Sequence, residues 1–213
     1  MDPEKIRAIQ EMSPPATIKE RTTKKASWAS CLISIRHFIP NLTEKTYPLI
    51  LLLKKDAKFA WNHKYQLIFD AVKQELIKSP TLTAPIPGKP LALYLSARDT
   101  SIGVLLAQLD GDDVEKAVYY LSRIMTPTEQ RYPKPDKIYL ALVFAVQKLR
   151  HYMLAHTIHL VTKENPVRYL LNQPAMSGRK ARWLLLLSEF DIVCTRKRPV
   201  KGQSIAHLLY FFI

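Results

Sequence analysis

The pattern of apolar and polar residues along the chain is centred on residues 117–166. A run rich in Tyr and Val, AVYYLSR, is followed by a loop punctuated by proline and then by a helical pattern over residues 138–149. Apolar positions occupy nearly every face of this predicted helix, which is typical of a buried helix. Residues suited to its first and last turns flank it: Pro135 and Asp136, and Lys148, Arg150 and His151.

From residue 91 the pattern changes to period two, in LALYLSA, IGVLLAQL and AVYYLSR. This pattern, with a turn at Asp110 and Gly111, predicts an antiparallel three-strand meander. After the long helix, HTIHLVT is predicted to be the fourth strand. The crossover that leads to it has the length that a parallel neighbour requires. Further patterns predict a short helix over 166–171, a longer one over 179–190, a strand over 191–195 and a last helix from Gln203.

The residues before this region predict a smaller, mainly helical part. Tyr65, Phe69, Val72 and Leu76 repeat at helical spacing between residues 62 and 78, so an amphipathic helix is expected there. A cluster of proline and glycine over 80–90 predicts an extended linker. We therefore expect a helical appendage over 1–85 and an α/β domain over 86–213.

Composition narrows the class of partner. The 213 residues are 47% hydrophobic, which is ample for a core, and carry a formal net charge of +14. This charge favours a polyanion, nucleic acid first and an acidic membrane surface second, over the alternative of a basic protein without such a partner. Cys31 and Cys194 have no CxxC spacing, so neither a zinc site nor a disulfide framework is predicted.

No stretch approaches the roughly 20 apolar residues that span a bilayer, and the first residues are charged where a signal peptide would be apolar. We expect an intracellular protein, cytoplasmic or nuclear, without a membrane partner.

One long run of residues resembles a known family: YYLSR…RY…LALVFAVQKLRHY…LVT…NP…YLL…ARWLLLLSEFDI. It is similar to the ribonuclease H domain that follows reverse transcriptase in plant gypsy-type retrotransposon polyproteins, and the resemblance covers the whole 86–213 domain. The resemblance implies a mixed five-strand sheet with flanking helices. The first residues, MDPEKIRAIQEMSPP, resemble the end of a reverse transcriptase palm, where the thumb region begins, so residues 1–85 are expected to be a thumb/connection-like helical remnant. The sequence contains no Tyr-x-Asp-Asp or Phe-x-Asp-Asp turn of a polymerase, and a fragment or a decayed reading frame is expected.

Residues 21–34, RTTKKASWASCLIS, do not align with the family. Arg21, Lys24 and Lys25 beside Trp28 are consistent with contact to a nucleic-acid backbone, or with a solvated charged run beside one buried Trp.

In active members of this family, four carboxylates hold two Mg²⁺ ions that activate water and stabilise the leaving oxygen. The resemblance assigns these positions to the end of the first strand, the start of the long helix, the residue after Thr162, and the closing Ala-x-x-Leu segment. Here they are occupied by residues that are not carboxylates: Ser96, Ile138, Lys163 and His207. Ala92 and Tyr94 are expected to share a side of the sheet with Ser96, and the four positions are expected to cluster. The sequence thus predicts no metal, no cofactor and no catalytic residue.

Neighbouring acids do not replace the missing ones. Asp99 lies three residues past Ser96, Asp136 is rotated about 200° round the helix from Ile138, and Glu164 points to the opposite side of its strand from Lys163. One plant lineage of these elements has such a degenerate first domain, thought to connect polymerase and nuclease, followed by a second, active ribonuclease H. The runs LALVFAVQKLRHY and VKGQSIA resemble that lineage.

Basic residues crowd the last third of the chain. The candidate nucleic-acid-binding residues are Arg123, Arg168, Arg179, Lys180, Arg182, Arg196, Lys197 and Arg198. If they share a face with the family's substrate groove, weak, sequence-independent contact with an RNA–DNA hybrid or another nucleic acid is expected. The alternative is that these charges are inherited and have no present use.

Three hypotheses follow from these patterns. The chain is a catalytically inactive ribonuclease H-like module that connects parts of a polyprotein or binds nucleic acid. Alternatively, it is a working endonuclease or polymerase fragment, as family resemblance alone would indicate, or a decayed fragment without a selected role.

Overall fold

The computed structural model describes residue 11 and residues 42–52, 61–78, 82–112, 114–161 and 178–195. Its helices are α1 (Leu42–Leu52), α2 (His63–Lys78), α3 (Pro127–Gln130), α4 (Lys134–Lys148), α5 (Arg150–Ala155) and α6 (Arg179–Leu187). Its strands are β1 (Leu91–Ala97), β2 (Ser101–Leu109), β3 (Glu115–Ile124), β4 (Ile158–Val161) and β5 (Ile192–Thr195). Among these described helices, none is long and apolar enough to cross a membrane.

The five strands form one mixed sheet in the order β3-β2-β1-β4-β5. β1, β2 and β3 are antiparallel neighbours, whereas β4 pairs parallel with β1 and β5 pairs parallel with β4. The predicted meander, the parallel fourth strand and the α/β fold class are therefore confirmed. The predicted short helix over 166–171, the last helix from Gln203 and the Arg21–Trp28 cluster lie outside the described residues.

The long helix α4 is buried against the sheet, as predicted. Its buried face, including Leu142 and Val146, packs with Leu91, Leu93 and Leu95 of β1 in the main hydrophobic core. Each of these side chains contributes roughly 1.5–3 kcal/mol by leaving water. Helix and strand are thereby fixed relative to each other.

The predicted ends of α4 are confirmed at its start and, for Lys148, in its last turn. Proline lies in the first turn, and Asp136 provides a carboxylate there. At the other end, the backbone of Leu149 leaves helical geometry (φ −110°, ψ 22°), so that α4 stops at Lys148. Arg150 and His151 therefore belong to α5, and not to the last turn of α4 as predicted. No glycine or proline marks this break in the sequence.

The appendage contains one helix that the sequence did not predict. The helix α1 includes Pro48, which removes a backbone donor and normally argues against a helix interior. It packs against both α2 and β3. The predicted amphipathic character of α2 is confirmed, because Phe69 and Val72 are buried while Lys64 and Asp70 are exposed.

The second face of the sheet holds a smaller cluster. Tyr94, Leu105 and Tyr120 are buried there, and Ala92 packs against them, whereas Leu95 faces the α4 side. Side chains alternate along a strand, so Ser96 shares the side of Ala92 and Tyr94, as predicted.

Candidate nucleic-acid interface

The strands β1, β4 and β5 run parallel and end at one edge of the sheet, which we call the carboxyl edge. The helices α4 and α6 each precede one of these parallel strands, β4 and β5, so both begin at the carboxyl edge. Direct contacts agree with this placement, since Lys180 at the start of α6 lies 3.2 Å from Asp136 at the start of α4.

The start of α4 also lies against the end of β1. The Lys137 ammonium donates a hydrogen bond to the backbone oxygen of Asp99 at 3.2 Å. Lys137 precedes Ile138, and Asp99 is three residues past Ser96. This hydrogen bond therefore joins the two segments that carry the first two substituted positions.

The side chains at these two positions are not metal ligands of the type that Mg²⁺ prefers. Ser96 is only 8% exposed, and Ile138 is a half-buried side chain packed against the main core. Lys163 and His207 lie outside the described residues, so the expected clustering of all four stays a prediction. The described residues include no group of three or more His, Cys, Asp and Glu side chains able to hold a metal ion.

Two acidic residues lie at this edge. Asp99 is exposed in the turn between β1 and β2, and its backbone oxygen accepts from Lys137. Asp136 is 5% exposed, with one carboxylate oxygen near Lys180 and the other without a hydrogen-bond partner. Because the Lys180 ammonium already compensates its charge, Asp136 is part of the α4–α6 contact.

A second contact three residues further along each helix strengthens this junction. The ring of Tyr139 stacks on Trp183 with centroids 5.5 Å apart. Asp136 and Tyr139 are three apart on α4, as are Lys180 and Trp183 on α6, so each pair lies on one helix face. The Tyr139 hydroxyl is buried without a partner, and burial raises its pKa.

Arg179 links the loop before α4 to α6. Its guanidinium carbon lies 4.2 Å from the centroid of the Tyr132 ring and 5.1 Å from that of Trp183, and the group also donates to the Tyr132 hydroxyl. These contacts hold the guanidinium in place while leaving the residue exposed.

Exposed cations gather around Arg179 at the carboxyl edge. We call this set the basic cluster: Arg131, Lys134, Arg179 and Arg182. Arg182 lies one helical turn beyond Arg179, and Arg131 and Lys134 flank Tyr132. No carboxylate among the described residues forms an ion pair with any of the four. Lys134 was not among the predicted binding residues, although the KPDK run places it at the start of the helix.

The other predicted binding residues behave differently. Arg123 is paired with Glu129, at 2.7 Å, and lies 5.3 Å from the Phe144 ring centroid. Lys180 is paired with Asp136. The remaining four lie outside the described residues: Arg168, Arg196, Lys197 and Arg198. Of these eight candidates, Arg179 and Arg182 are both exposed and without an ion pair to a described carboxylate.

Comparison with known proteins shows a family and a fold. Residues 86–190 match the RNase H-like domain found in reverse transcriptase. The Tf2-3 and Tf2-4 transposon polyproteins of Schizosaccharomyces pombe (strain 972 / ATCC 24843) are each 31% identical over 180 residues, which is 82% of this chain. The chain spans 13% of the length of these curated relatives.

Solved structures of the foamy viral protease-reverse transcriptase are similar in fold. The complex with RNA/DNA hybrid has a TM-score of 0.76 at 20% identity, covering 95% of this chain and 28% of that chain. The complex with double-stranded DNA has a TM-score of 0.74 at 20% identity, covering 95% and 42%. At this identity the likeness concerns the fold alone.

Proposed function

Because residues 86–190 belong to the RNase H-like domains found in reverse transcriptase, in a chain related to gypsy-type retrotransposon polyproteins, we propose that this domain is catalytically inactive and contacts a nucleic-acid backbone. In this proposal the basic cluster contacts phosphates, and the domain connects the parts of a longer polyprotein. The relatives bound to RNA/DNA hybrid and double-stranded DNA make both duplexes reasonable ligands.

The proposed loss of catalysis rests on the chemistry at the carboxyl edge. Mg²⁺ requires hard oxygen ligands in near-octahedral geometry. At the two substituted positions that the structure describes, an apolar side chain of α4 packs on the core and a serine is the last residue but one of β1. Asp136, a buried carboxylate at the start of α4, is paired with an ammonium. The described residues therefore do not fit the metal pair of active relatives.

The proposed contact with phosphates rests on one observation: the four exposed cations of the basic cluster belong to two segments that meet at the carboxyl edge of the sheet. Two of these cations belong to the start of α6 and two to the segment that enters α4, and the Arg179–Tyr132 contact joins the two groups. Their charge is not cancelled by a described carboxylate. Binding of this kind is independent of sequence and depends strongly on salt.

The proposal also concerns lineage and partners. We place the chain with the plant elements whose first ribonuclease H-like domain is degenerate and serves as a connector. The remaining polyprotein is then its protein partner, within the cytoplasm or nucleus.

Incubation of the purified chain with a labelled RNA–DNA hybrid tests this function. We expect no cleavage with Mg²⁺ or Mn²⁺ under conditions in which an active ribonuclease H cuts the same hybrid. Binding should persist in EDTA and weaken steeply as salt rises. Cleavage by the chain that EDTA stops would support the working endonuclease instead. An absence of any salt-dependent binding would favour the decayed fragment.

A further inference from the structure

The segment before β1, residues 82–90, is bonded to the sheet rather than extended freely as a linker. The backbone N–H and the hydroxyl of Thr83 both donate to the backbone oxygen of Ala117, at 3.0 and 3.4 Å. Ala117 belongs to β3, which is an edge strand of the sheet. Thr83 therefore occupies an acceptor on a strand edge that would otherwise face solvent.

A buried glutamine holds the same segment at a second place. The side chain of Gln108 in β2 accepts from the N–H of Ile86 at 2.6 Å and donates to the carbonyl oxygens of Ile86 and Lys89, at 3.1 Å each. Gln108 is 4% exposed with the segment in place, so these bonds supply the partners of its buried amide. Breaking them while the segment stays packed would leave buried polar groups unsatisfied.

Apolar packing continues the contact beyond the hydrogen bonds. Leu82 packs against the cluster of Tyr94 and Tyr120 on the second face of the sheet. The helix α1 packs on β3, with its own Leu49 and Leu52 at 3% and 7% exposure, and α2 packs on α1. The appendage thus contributes to the burial of the sheet.

We infer that α1, α2, the 82–90 segment and the sheet form one cooperative folding unit, with β3 and Gln108 as the docking surface for the preceding part of the same chain. The family match begins at residue 86 and therefore covers only part of this unit. On this inference, the boundary predicted near residue 85 separates two sequence patterns that belong to one stable body.

Hydrogen exchange of the full chain, resolved by segment, tests this coupling. Leu49→Ala removes a buried side chain of α1, and Leu67→Ala is the matched control at an α2 position that is 56% exposed. We expect Leu49→Ala to lower the hydrogen-exchange protection of α1 by at least about tenfold. The protection of β2 and β3 should fall by the same factor, although Leu49 lies in neither strand. The Leu67→Ala control should leave all three segments unchanged.

A second pair of variants tests the hydrogen-bonded contact without removing apolar volume. Gln108→Met keeps the shape of the side chain but loses its bonds to Ile86 and Lys89, and Gln74→Met is the control at an exposed position of α2. Gln108→Met should lower protection in α1 and β3 together. If either Leu49→Ala or Gln108→Met changes exchange on one side of the contact only, the two parts open independently and the inference is wrong.

Discussion

Arg123 and Glu129 form a two-point ion pair, in which the guanidinium nitrogens lie 2.7 and 2.8 Å from the two carboxylate oxygens. Glu129 also accepts from the N–H of Thr126, which caps α3 in return. Arg123 therefore links β3 to the segment that leads to α4. Its charge is paired within the protein, whereas the predicted binding residues Arg179 and Arg182 have no ion pair with a described carboxylate.

The pair makes stability depend on pH. The hydrogen bonds from Arg123, with smaller contributions from Thr126, lower the pKa of Glu129 from 4.5 to about 2. Because the folded pKa lies below the unfolded value, this stabilisation is fully present above about pH 4.5 and is lost as the pH falls towards 2. Glu129→Gln should lower the free energy of unfolding by about 1–3 kcal/mol at pH 7, and by progressively less below pH 4.

Urea unfolding at pH 7 and at pH 3 measures both effects. The control is Glu189→Gln, whose ion pair with Arg150 has side chains 47% and 51% exposed and should contribute less than about 1 kcal/mol. An equal loss from both variants would contradict the special role of the Arg123 pair.

Buried tyrosines should respond to removal of the hydroxyl in opposite ways. The Tyr120 and Tyr139 hydroxyls are buried without a partner, so Tyr120→Phe and Tyr139→Phe should be neutral or slightly stabilising. The Tyr94 hydroxyl instead donates to buried Glu115 at 2.6 Å, and desolvation raises the pKa of that carboxyl group. Tyr94→Phe removes this hydrogen bond to Glu115 and should lower the free energy of unfolding by about 1–3 kcal/mol in urea unfolding.

Urea unfolding thus ranks the three Tyr→Phe variants by their effect on the free energy of unfolding. A cost for Tyr139→Phe as large as that for Tyr94→Phe would mean that an ordered water or another group satisfies the Tyr139 hydroxyl.

Much of the fold follows from local pattern. Period-two alternation is a direct consequence of strand geometry. The meander, and the placement of Tyr94 and Leu95 on opposite faces of the sheet, could therefore be predicted from the sequence. The helix α1 was not, because Pro48 opposes helix formation locally and only packing on β3 and α2 compensates for it. The break at Leu149 has no local signal, since a continuous apolar pattern runs through it.

The position of the candidate site could be predicted from the sequence, but the ion-pair partners of its cations could not. Which residues replace the family's carboxylates can be read by matching motifs, whereas the partner of each cation depends on tertiary contacts. Thr126 and Glu129 show the spacing of a capping box in the sequence, and this marks Glu129 as structural. Nothing local links Lys180 to Asp136, because the two residues are far apart in the sequence and meet only through the α4–α6 contact.

If the basic cluster binds nucleic acid, removal of Arg182 and removal of Lys148 should change the salt dependence of binding differently. Arg182→Ala removes an exposed charge at the start of α6, whereas Lys148→Ala removes one at the far end of α4. Arg182→Ala should weaken binding to hybrids of different sequence equally and reduce the slope of log affinity against log salt by about 1. Lys148→Ala should leave the slope unchanged.

Fluorescence anisotropy between about 50 and 200 mM salt measures that slope. Arg123→Ala is a useful third variant, because its charge is already paired with Glu129. A loss of slope for Arg123→Ala, with none for Arg182→Ala, would move the interface from the basic cluster to the end of β3.

Restoring the carboxylates tests whether the four substituted positions were assigned correctly. The variant combines Ser96→Asp, Ile138→Glu, Lys163→Asp and His207→Asp. It adds about four negative charges and removes one positive charge, so it should be less stable without metal, the more so because Ile138 is half-buried. Mg²⁺ should then raise its Tm in a concentration-dependent way, since a ligand that binds only the folded state stabilises it. Hybrid cleavage should appear with the same metal dependence. The matched control keeps Ile138 and carries the other three changes, and it should show a much smaller metal-induced rise in Tm. A folded four-residue variant whose Tm ignores Mg²⁺ would show that these side chains do not converge.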